Sequence, residues 1–317
     1  MPLDFDNFPT KPPVFLAPMA GITDLPFRQL VLGFGAGLVV SEMIASQELA
    51  QAKKRTEMHS RAELGLGNGR TAVQIAGREA HWMAESAKLL VGLGARMVDI
   101  NMGCPAKKVT SGYSGSALMR DPDHALGLIE AVVRAVDVPV SLKMRLGWDD
   151  NHNADYIAAR AEAAGVRMVT IHGRTRCQFY KGKADWRAVA KVKVAVKVPV
   201  VVNGDIVDAR SAKSALAHSG ADALMVGRGA RGRPWLLAEL QGLTPNVNIE
   251  EIIISHYESM LSFYGTHIGM LNARKHLGWY LAPLAGGADM RAALMRLADP
   301  QVVIRELRAF LGERAAA

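Results

Sequence analysis

The chain has 317 residues, half of them hydrophobic and 21% charged, with two cysteines and a formal net charge of +8. Two thiols cannot build a disulfide framework or, alone, a four-ligand zinc site. No apolar run approaches the roughly 18 residues that a membrane span needs, and the proline-rich opening MPLDFDNFPTKPP lacks the apolar core of a secretory signal. A cytoplasmic protein with reduced thiols is expected. The charge is unevenly placed: the first 244 residues hold 31 basic and 23 acidic residues, whereas residues 245–317 hold seven of each. Such an excess fits a polyanionic partner, and solubility alone accounts for it equally well.

Eight short runs rich in β-branched residues follow one another along the first 230 residues. They are VFLAPMAG from Val14, GLVVSEM from Gly37, TAVQIAG from Thr71, ARMVDINMG from Ala95, VPVSLKMRLG from Val138, VRMVTIHGR from Val166, VPVVVNGD from Val198 and ADALMVGRG from Ala221. Continuous apolar runs suit parallel strands covered on both faces. Helical patterns separate them. Residues 79–93 put Trp82, Ser86, Leu89, Leu90 and Leu93 on one face. Residues 122–136 have Asp121 as N-cap and Pro122 at the first helical position; residues 208–218 run to Gly220, a natural stop. The run KVKVAVKV from Lys191 reads as an amphipathic helix with a solvated lysine face. Eight strand signals with helices between them predict an α/β fold of the (β/α)8 TIM-barrel type over residues 1–244. A six-stranded doubly wound sheet leaves two signals unassigned. After Trp235 the pattern turns helical, and residues 245–317 are expected to form a small helical domain.

Barrel enzymes carry their chemistry where the strands end. The successive runs end on or contain Pro18-Met19-Ala20, Glu42, Gln74, Asn101 and Cys104, Lys143 and Arg145, His172 and Arg174, Asn203-Gly204-Asp205, and Gly227-Arg228. A polar side chain inside an apolar strand is costly unless something pairs with it. One such residue is ordinarily a satisfied core hydrogen bond; many at the same end point to a ligand-filled mouth. Glycines after the seventh and eighth strands let backbone N–H groups approach a phosphate, to which Arg228 adds charge. Lys143, alternating with Leu142 and Met144, points into the mouth, where a cation suits an electron-rich ring such as a flavin. No G-x-G-x-x-G follows a strand, so a Rossmann domain is not indicated.

The segments APMAGITDLPFR, NMGCP, LKMRLGWDD, TIHGRTR, VVNGDI and MVGRGARGRPW, in this order, closely resemble the bacterial tRNA-dihydrouridine synthases, in particular their B-type group. The resemblance spans essentially the whole chain. It implies a flavin mononucleotide (FMN) barrel with a helical tRNA-binding domain, in which NADPH reduces FMN and the flavin reduces the 5,6 double bond of a uridine in tRNA. It further implies that Pro18, Met19 and Ala20 lie against the flavin, that Gln74 and Lys143 bond its ring, and that His172 lies near ring and phosphate. Asn203, Gly204, Asp205, Gly227 and Arg228 would hold the ribityl chain and phosphate. Asn101 and Arg145 would face the uracil, with Cys104 matching the family's proton donor. Neither a membrane nor a metal is expected, and the chain is expected to act as a monomer.

The chemistry gives Cys104 a reason to sit in a Gly-Pro loop. Hydride delivered to C6 of uracil leaves an enolate whose C5 must receive a proton. A free thiol, with a pKa near ~8.5, is mostly protonated at neutral pH and can supply it. The bland alternative is a small buried hydrophobe; Cys177 reads as structural or incidental. Lys107, Lys108, Arg174, Arg176, Lys181 and Lys183 are expected to grip tRNA phosphates, Arg174 and Arg176 nearest the substrate. Arg274 to His276, in the stretch ARKH, are expected to face a cleft between the domains. A stacked uridine must be extruded to be reached. Two other readings stay open: an FMN barrel acting on a small pyrimidine, like dihydroorotate dehydrogenase, and a non-catalytic RNA-binding or regulatory protein. Activity on free orotate would favour the first, a flavin-free protein the second.

Overall fold

The structure, a computed structural model, describes residues 13–51 and 70–315. All eight apolar runs become strands: β1 (Val14–Leu16), β2 (Leu38–Val40), β4 (Thr71–Ala76), β5 (Val98–Met102), β6 (Val140–Arg145), β7 (Met168–His172), β8 (Val200–Asn203) and β9 (Ala223–Val226). A two-residue strand that the sequence did not signal, β3 (Ile44–Ala45), lies beside the end of β4. Every pairing is parallel, in the order β2-β1-β9-β8-β7-β6-β5-β4, and β2 pairs with β4 to close the ring. The result is an eight-stranded closed barrel of the TIM type.

Helices surround it: α1 (Leu25–Gly33), α2 (Ser46–Gln51), α3 (Ala80–Gly92), α4 (Lys107–Thr110), α5 (Pro122–Ala135), α6 (Ala154–Ala163), α7 (Trp186–Ala195), α8 (Ala209–Ser219) and α9 (Leu236–Leu240). Local chemistry fixes their ends. The Asp121 carboxylate accepts from the His124 N–H at 3.1 Å, and Asp208 and Ser211 form a reciprocal capping box. Gly220, at φ 63°, supplies the left-handed stop of α8. Helix α7 covers the first five residues of the KVKVAVKV run and stops before Val196, which is buried in extended backbone. Lys193 on that helix is not simply solvated but pairs with Asp222 at 2.7 Å.

Strand alternation divides the apolar residues between two layers. Val14, Leu16, Val98, Ile100, Leu142, Val169, Ile171, Val200 and Val202 pack outward under the helices. Phe15, Leu38, Val40, Ala72, Met97, Met168, Val201, Ala223 and Met225 form a separate interior plug. Each fully buried aliphatic side chain of this kind contributes about 1.5–3 kcal/mol. The plug closes the barrel floor and leaves the other end for polar side chains.

Four further helices follow: α10 (Ile249–Tyr264), α11 (Thr266–Leu281), α12 (Gly287–Leu294) and α13 (Pro300–Ala315). The sequence signalled three of them and missed α12, whose short GADMRAAL stretch carries a weak apolar pattern. They share a core of their own, including Ile253, Tyr257, Met260, Leu277, Leu281 and Leu307, against which Leu30, Phe34 and Trp235 of the preceding elements pack. Gly269 lets α11 approach α10 closely; a Cβ there would stand 2.6 Å from the Met260 carbonyl oxygen. Among the described residues no helix is long and apolar enough to cross a membrane.

A buried polar cluster joins the two cores. Asp24, N-cap of α1, accepts from the Phe27 N–H at 3.1 Å and from the Tyr264 hydroxyl at 3.1 Å. Beside it sit His256 and His276, whose rings lie 4.7 Å apart and against Phe27. His276 was expected at a cleft; it is instead buried, with neither ring nitrogen hydrogen-bonded among the described residues. Burial, aided by His256 and the nearby Lys275, holds the His276 imidazole well below its usual range and hence neutral. The unfolded chain binds a proton below the ordinary value of 6.5 that the buried ring refuses, so this residue lowers stability as pH falls through 6.5. Relative to a His276→Leu variant, the native protein should lose about 2 kcal/mol between pH 7.5 and pH 5. Thermal melts of the two proteins across that range check this; a gap that does not move with pH would contradict it.

Candidate active site

The C-terminal ends of the strands open into a cavity of about 680 Å³. Its walls bring together fourteen of the residues picked out from the sequence: Pro18, Met19, Ala20, Gln74, Asn101, Cys104, Lys143, Arg145, His172, Asn203, Gly204, Asp205, Gly227 and Arg228. Barrel geometry causes the convergence. Gln74, Asn101, Lys143, His172 and Asn203 belong to the inward-facing sets of alternate residues on neighbouring strands, with pairings Asn101↔Lys143 and His172↔Asn203.

Most of these side chains are tied to one another. The β1 turn is set by the Met19 N–H, which donates to the Thr23 hydroxyl at 2.8 Å, and the Gly21 N–H donates to the Glu42 carboxylate. Lys143 Nζ donates to Asn203 Oδ1 at 3.2 Å, and Asn203 Nδ2 to the Met225 carbonyl at 2.8 Å. An ammonium has three protons, so this bond leaves Lys143 capacity toward the cavity. Burial lowers its pKa from the usual lysine value, while the Asp99 carboxylate beneath it opposes the fall. Arg145 donates to the Gly103, Thr175 and Phe179 carbonyls, each at 2.8 Å. It thereby clamps the Cys104 loop to the loop after β7.

His172 is different. Its Nδ1 is buried without a hydrogen-bond partner among the described residues. Burial and the charges of Lys143, Arg145, Arg174 and Arg228 hold the ring well below its usual pKa, so it is neutral. A buried, unpartnered ring nitrogen costs about 1–3 kcal/mol, a cost that a ligand can remove. The Gly227 position is open toward the cavity: a Cβ there would meet only Ala17 and Met19, at 3.7 Å.

Cys104 is half-buried with a free thiol. Its N–H donates to Asn101 Oδ1 at 3.0 Å and its carbonyl accepts from the Ser116 hydroxyl at 2.9 Å. Gly115, at φ 61°, packs against that carbonyl; a Cβ would stand 2.9 Å from it. The loop is therefore held on both sides. Cys177 is exposed.

Two expected substrate contacts lie elsewhere. Arg174 does not reach a surface phosphate, because it is buried and bidentate to Asp205 at 2.9 and 2.7 Å. It also donates to the carbonyls of Lys181 and Gly182. It braces the loop over residues 176–183 and fixes Asp205, a residue at φ 55°. Arg176 does not line the cavity either; its guanidinium stacks on Trp148, 4.6 Å from the ring centroid. Lys107, Lys108, Lys181 and Lys183 are exposed around the mouth. The sequence reading missed Asp99, Met43, Tyr180 and Arg231. Asp99 had a signal, since alternation puts it on the same face as Asn101. Tyr180 had none: it sits in an irregular loop, with Arg145 and Arg228 over its ring at 5.6 and 4.9 Å.

The mouth of this parallel barrel thus holds a buried lysine, a neutral histidine and a loop thiol. The chain belongs to the dihydrouridine synthase family, whose sequence pattern matches residues 15–315. It is 57% identical over 327 residues to a protein of Rhodobacter capsulatus named "Probable tRNA-dihydrouridine synthase", covering 100% of each chain. A protein of the same name from Rhizobium leguminosarum is 56% identical over 300 residues, 93% of each. The tRNA-dihydrouridine synthase B of Pseudomonas aeruginosa is 43% identical, with 95% of this chain and 93% of that one covered. The solved structure of morphinone reductase shares the barrel fold, at a TM-score of 0.52 and 16% identity over 78% of this chain and 90% of that one.

Arg174 generates a stability prediction. Arg174→Ala strands a partly exposed carboxylate and two carbonyls, and should cost about 2–4 kcal/mol. Arg174→Lys should recover little of it, since an ammonium cannot bridge both Asp205 oxygens. Urea unfolding of both variants measures this; a loss below about 0.5 kcal/mol, the usual scale of a surface substitution, would show that the brace is not structural.

Proposed function

We propose that the protein is a cytoplasmic tRNA-dihydrouridine synthase that uses FMN and NADPH. The observation that carries this reading is the convergence of Lys143, His172 and Cys104 on one cavity. The residues suit FMN. Lys143 offers a cation for the electron-rich part of the ring, Gln74 its amide, and Pro18, Met19 and Ala20 an apolar and backbone surface in the turn after β1. Gly227 leaves room for a phosphate, with Arg228 half-exposed beside it. FMN reduced by NADPH supplies hydride to C6 of the uracil.

The chain's own residues do the rest. Asn101 and Arg145 stand beside the loop where the base would enter, and Tyr180 offers an aromatic face at the rim. The Cys104 Sγ–H gives its proton to C5 as the negative charge left by hydride addition collapses, and the thiolate is reprotonated from solvent. Net, one uracil double bond gains two hydrogens while NADPH becomes NADP+. Lys107, Lys108, Lys181 and Lys183 supply phosphate contacts, and residues 245–317 form the second wall of a cleft for tRNA. Arg274 and Lys275, half-buried on α11, replace His276 as the cationic part of that wall. The protein acts as a monomer.

Two outcomes test this. The purified protein should be yellow and release one FMN per chain on denaturation; a colourless protein that cannot be reconstituted with FMN would contradict the reading. In stopped-flow experiments, Cys104→Ala should keep bound flavin and its reduction by NADPH. Its reoxidation by unmodified tRNA should slow by roughly 10²–10⁴-fold, the usual worth of a general acid. Reoxidation by tRNA at the native rate would make the thiol structural.

A further inference from the structure

A chain of buried hydrogen bonds runs from the barrel interior to the thiol loop, and its direction is set at one end. Asn101 Oδ1 accepts from two backbone N–H groups, those of Gly103 at 3.2 Å and Cys104 at 3.0 Å. Its carbonyl is thus committed, and its Nδ2 must donate elsewhere; it donates to Gln74 Oε1 at 2.7 Å. Gln74 Nε2 must then find an acceptor, which is Asp99 Oδ2 at 2.6 Å. The other carboxylate oxygen accepts from the Ser141 hydroxyl at 2.5 Å. An ionised carboxylate only accepts, whereas an amide can present either end. The order is therefore fixed at both ends, by the two backbone N–H groups at Asn101 and by the Asp99 carboxylate at Gln74. With the last acceptor removed, the Gln74 amino group loses its partner, and the relay that backs Asn101 and the Cys104 loop is held from the Asn101 end alone.

We propose that Asp99 is a positioning residue, which anchors the Gln74 amide and, through Gln74 and Asn101, holds the Cys104 loop in register with the cavity. The inference rests on the reading of Cys104 as proton donor. It goes further by giving the carboxylate, which has no contact with the thiol itself, a share in aiming it. Its place supports this. Asp99 is buried, two residues before Asn101 on β5 and directly paired with Gln74 and Ser141 across the sheet. A carboxylate is costly to bury, and a core position with no further role is more cheaply filled by an apolar residue. The relay also leaves one proton of each amide free of the chain. Asn101 Nδ2 points its own near Met43 Sδ, at 3.8 Å, so the cavity wall presents N–H donors there rather than carbonyls.

The test uses flavin-loaded protein and two substitutions. Asp99→Leu is close in size and removes the acceptor. Asp99→Asn keeps one acceptor oxygen for Gln74, provided that its amino group turns toward the Ser141 hydroxyl, which can accept. Alkylation of Cys104 by iodoacetamide, followed by mass spectrometry of the Cys104 peptide, reads the loop without requiring turnover. In Asp99→Leu, alkylation should accelerate by about 5-fold or more as the loop is released. Reoxidation of the flavin by unmodified tRNA should slow by about 10–100-fold, the scale of a misplaced reacting group. In Asp99→Asn, alkylation should stay within about 2-fold of the native rate, as expected when the relay keeps its direction. If Asp99→Leu yields no soluble flavoprotein, Gln74→Leu cuts the relay one link along and is read in the same way. Native alkylation in the interrupted relay overturns the proposal, as does equal acceleration in Asp99→Asn. Failure of the underlying reading looks different: the unaltered flavoprotein would not be reoxidised by tRNA, whatever the alkylation rates.

Discussion

Polar groups inside a closed barrel must satisfy one another, and that constraint organises this molecule. The interior plug of Phe15, Met97, Met168, Val201 and Met225 fills the floor. Above it no water is assured to the strand-borne side chains, so each polar group needs a partner of matching sense. Asp99 and Ser141 meet one layer below the mouth. Lys143 and Asn203 meet at the rim, and the Gln74–Asn101 pair carries order from one layer to the thiol loop. Asp99 and Lys143 oppose each other's tendency to neutralise, since burial raises the carboxyl pKa and lowers the ammonium pKa while their mutual attraction acts the other way. Among the described residues His172 Nδ1 and Thr170 Oγ1 remain without a partner, and His172 lines the cavity.

The fold was legible because a parallel barrel is written in a coarse code. Continuous apolar runs, N-caps such as Asp121 and Asp208, and stops such as Gly220 are local signals whose cause lies within a few residues. The cavity residues were legible for a related reason. A polar residue interrupting an apolar strand has few stable explanations, so Gln74, Asn101, Lys143 and His172 announce themselves. Failures came where meaning depends on distant partners. Arg174 reads as a surface cation in TIHGRTR, and only the fold brings Asp205 to neutralise it. His276 sits in a basic tetrapeptide, yet helical phase turns it inward beside His256 and Asp24 while Arg274 and Lys275 remain half-buried. The short strand β3 and helix α12 were missed because two- and eight-residue elements carry too little pattern to separate from a loop.

The helical segment is more than an appendage in physical terms. Leu30, Phe34 and Trp235 pack into its core, the Tyr264 hydroxyl reaches the N-cap of α1, and Arg231 at the cavity edge stacks on Trp279 of α11 at 5.0 Å. Helix α1 begins a few residues after the Pro18–Ala20 turn that lines the cavity. Asp24 and the Met19–Thr23 turn thus connect α10 to the cavity wall through direct hydrogen bonds. A substrate gripped on both sides would act on one connected body.

The central claim is that this cavity reduces a uridine within tRNA. Its most direct test is nucleoside mass spectrometry of unmodified tRNA after incubation with the purified flavoprotein and NADPH. The expected result is dihydrouridine, a uridine heavier by two hydrogens, at a defined position and only when protein and NADPH are both present. If the tRNA gains no dihydrouridine while the same preparation oxidises NADPH with free orotate, the cavity serves a small pyrimidine and the account of the basic rim and helical wall is wrong.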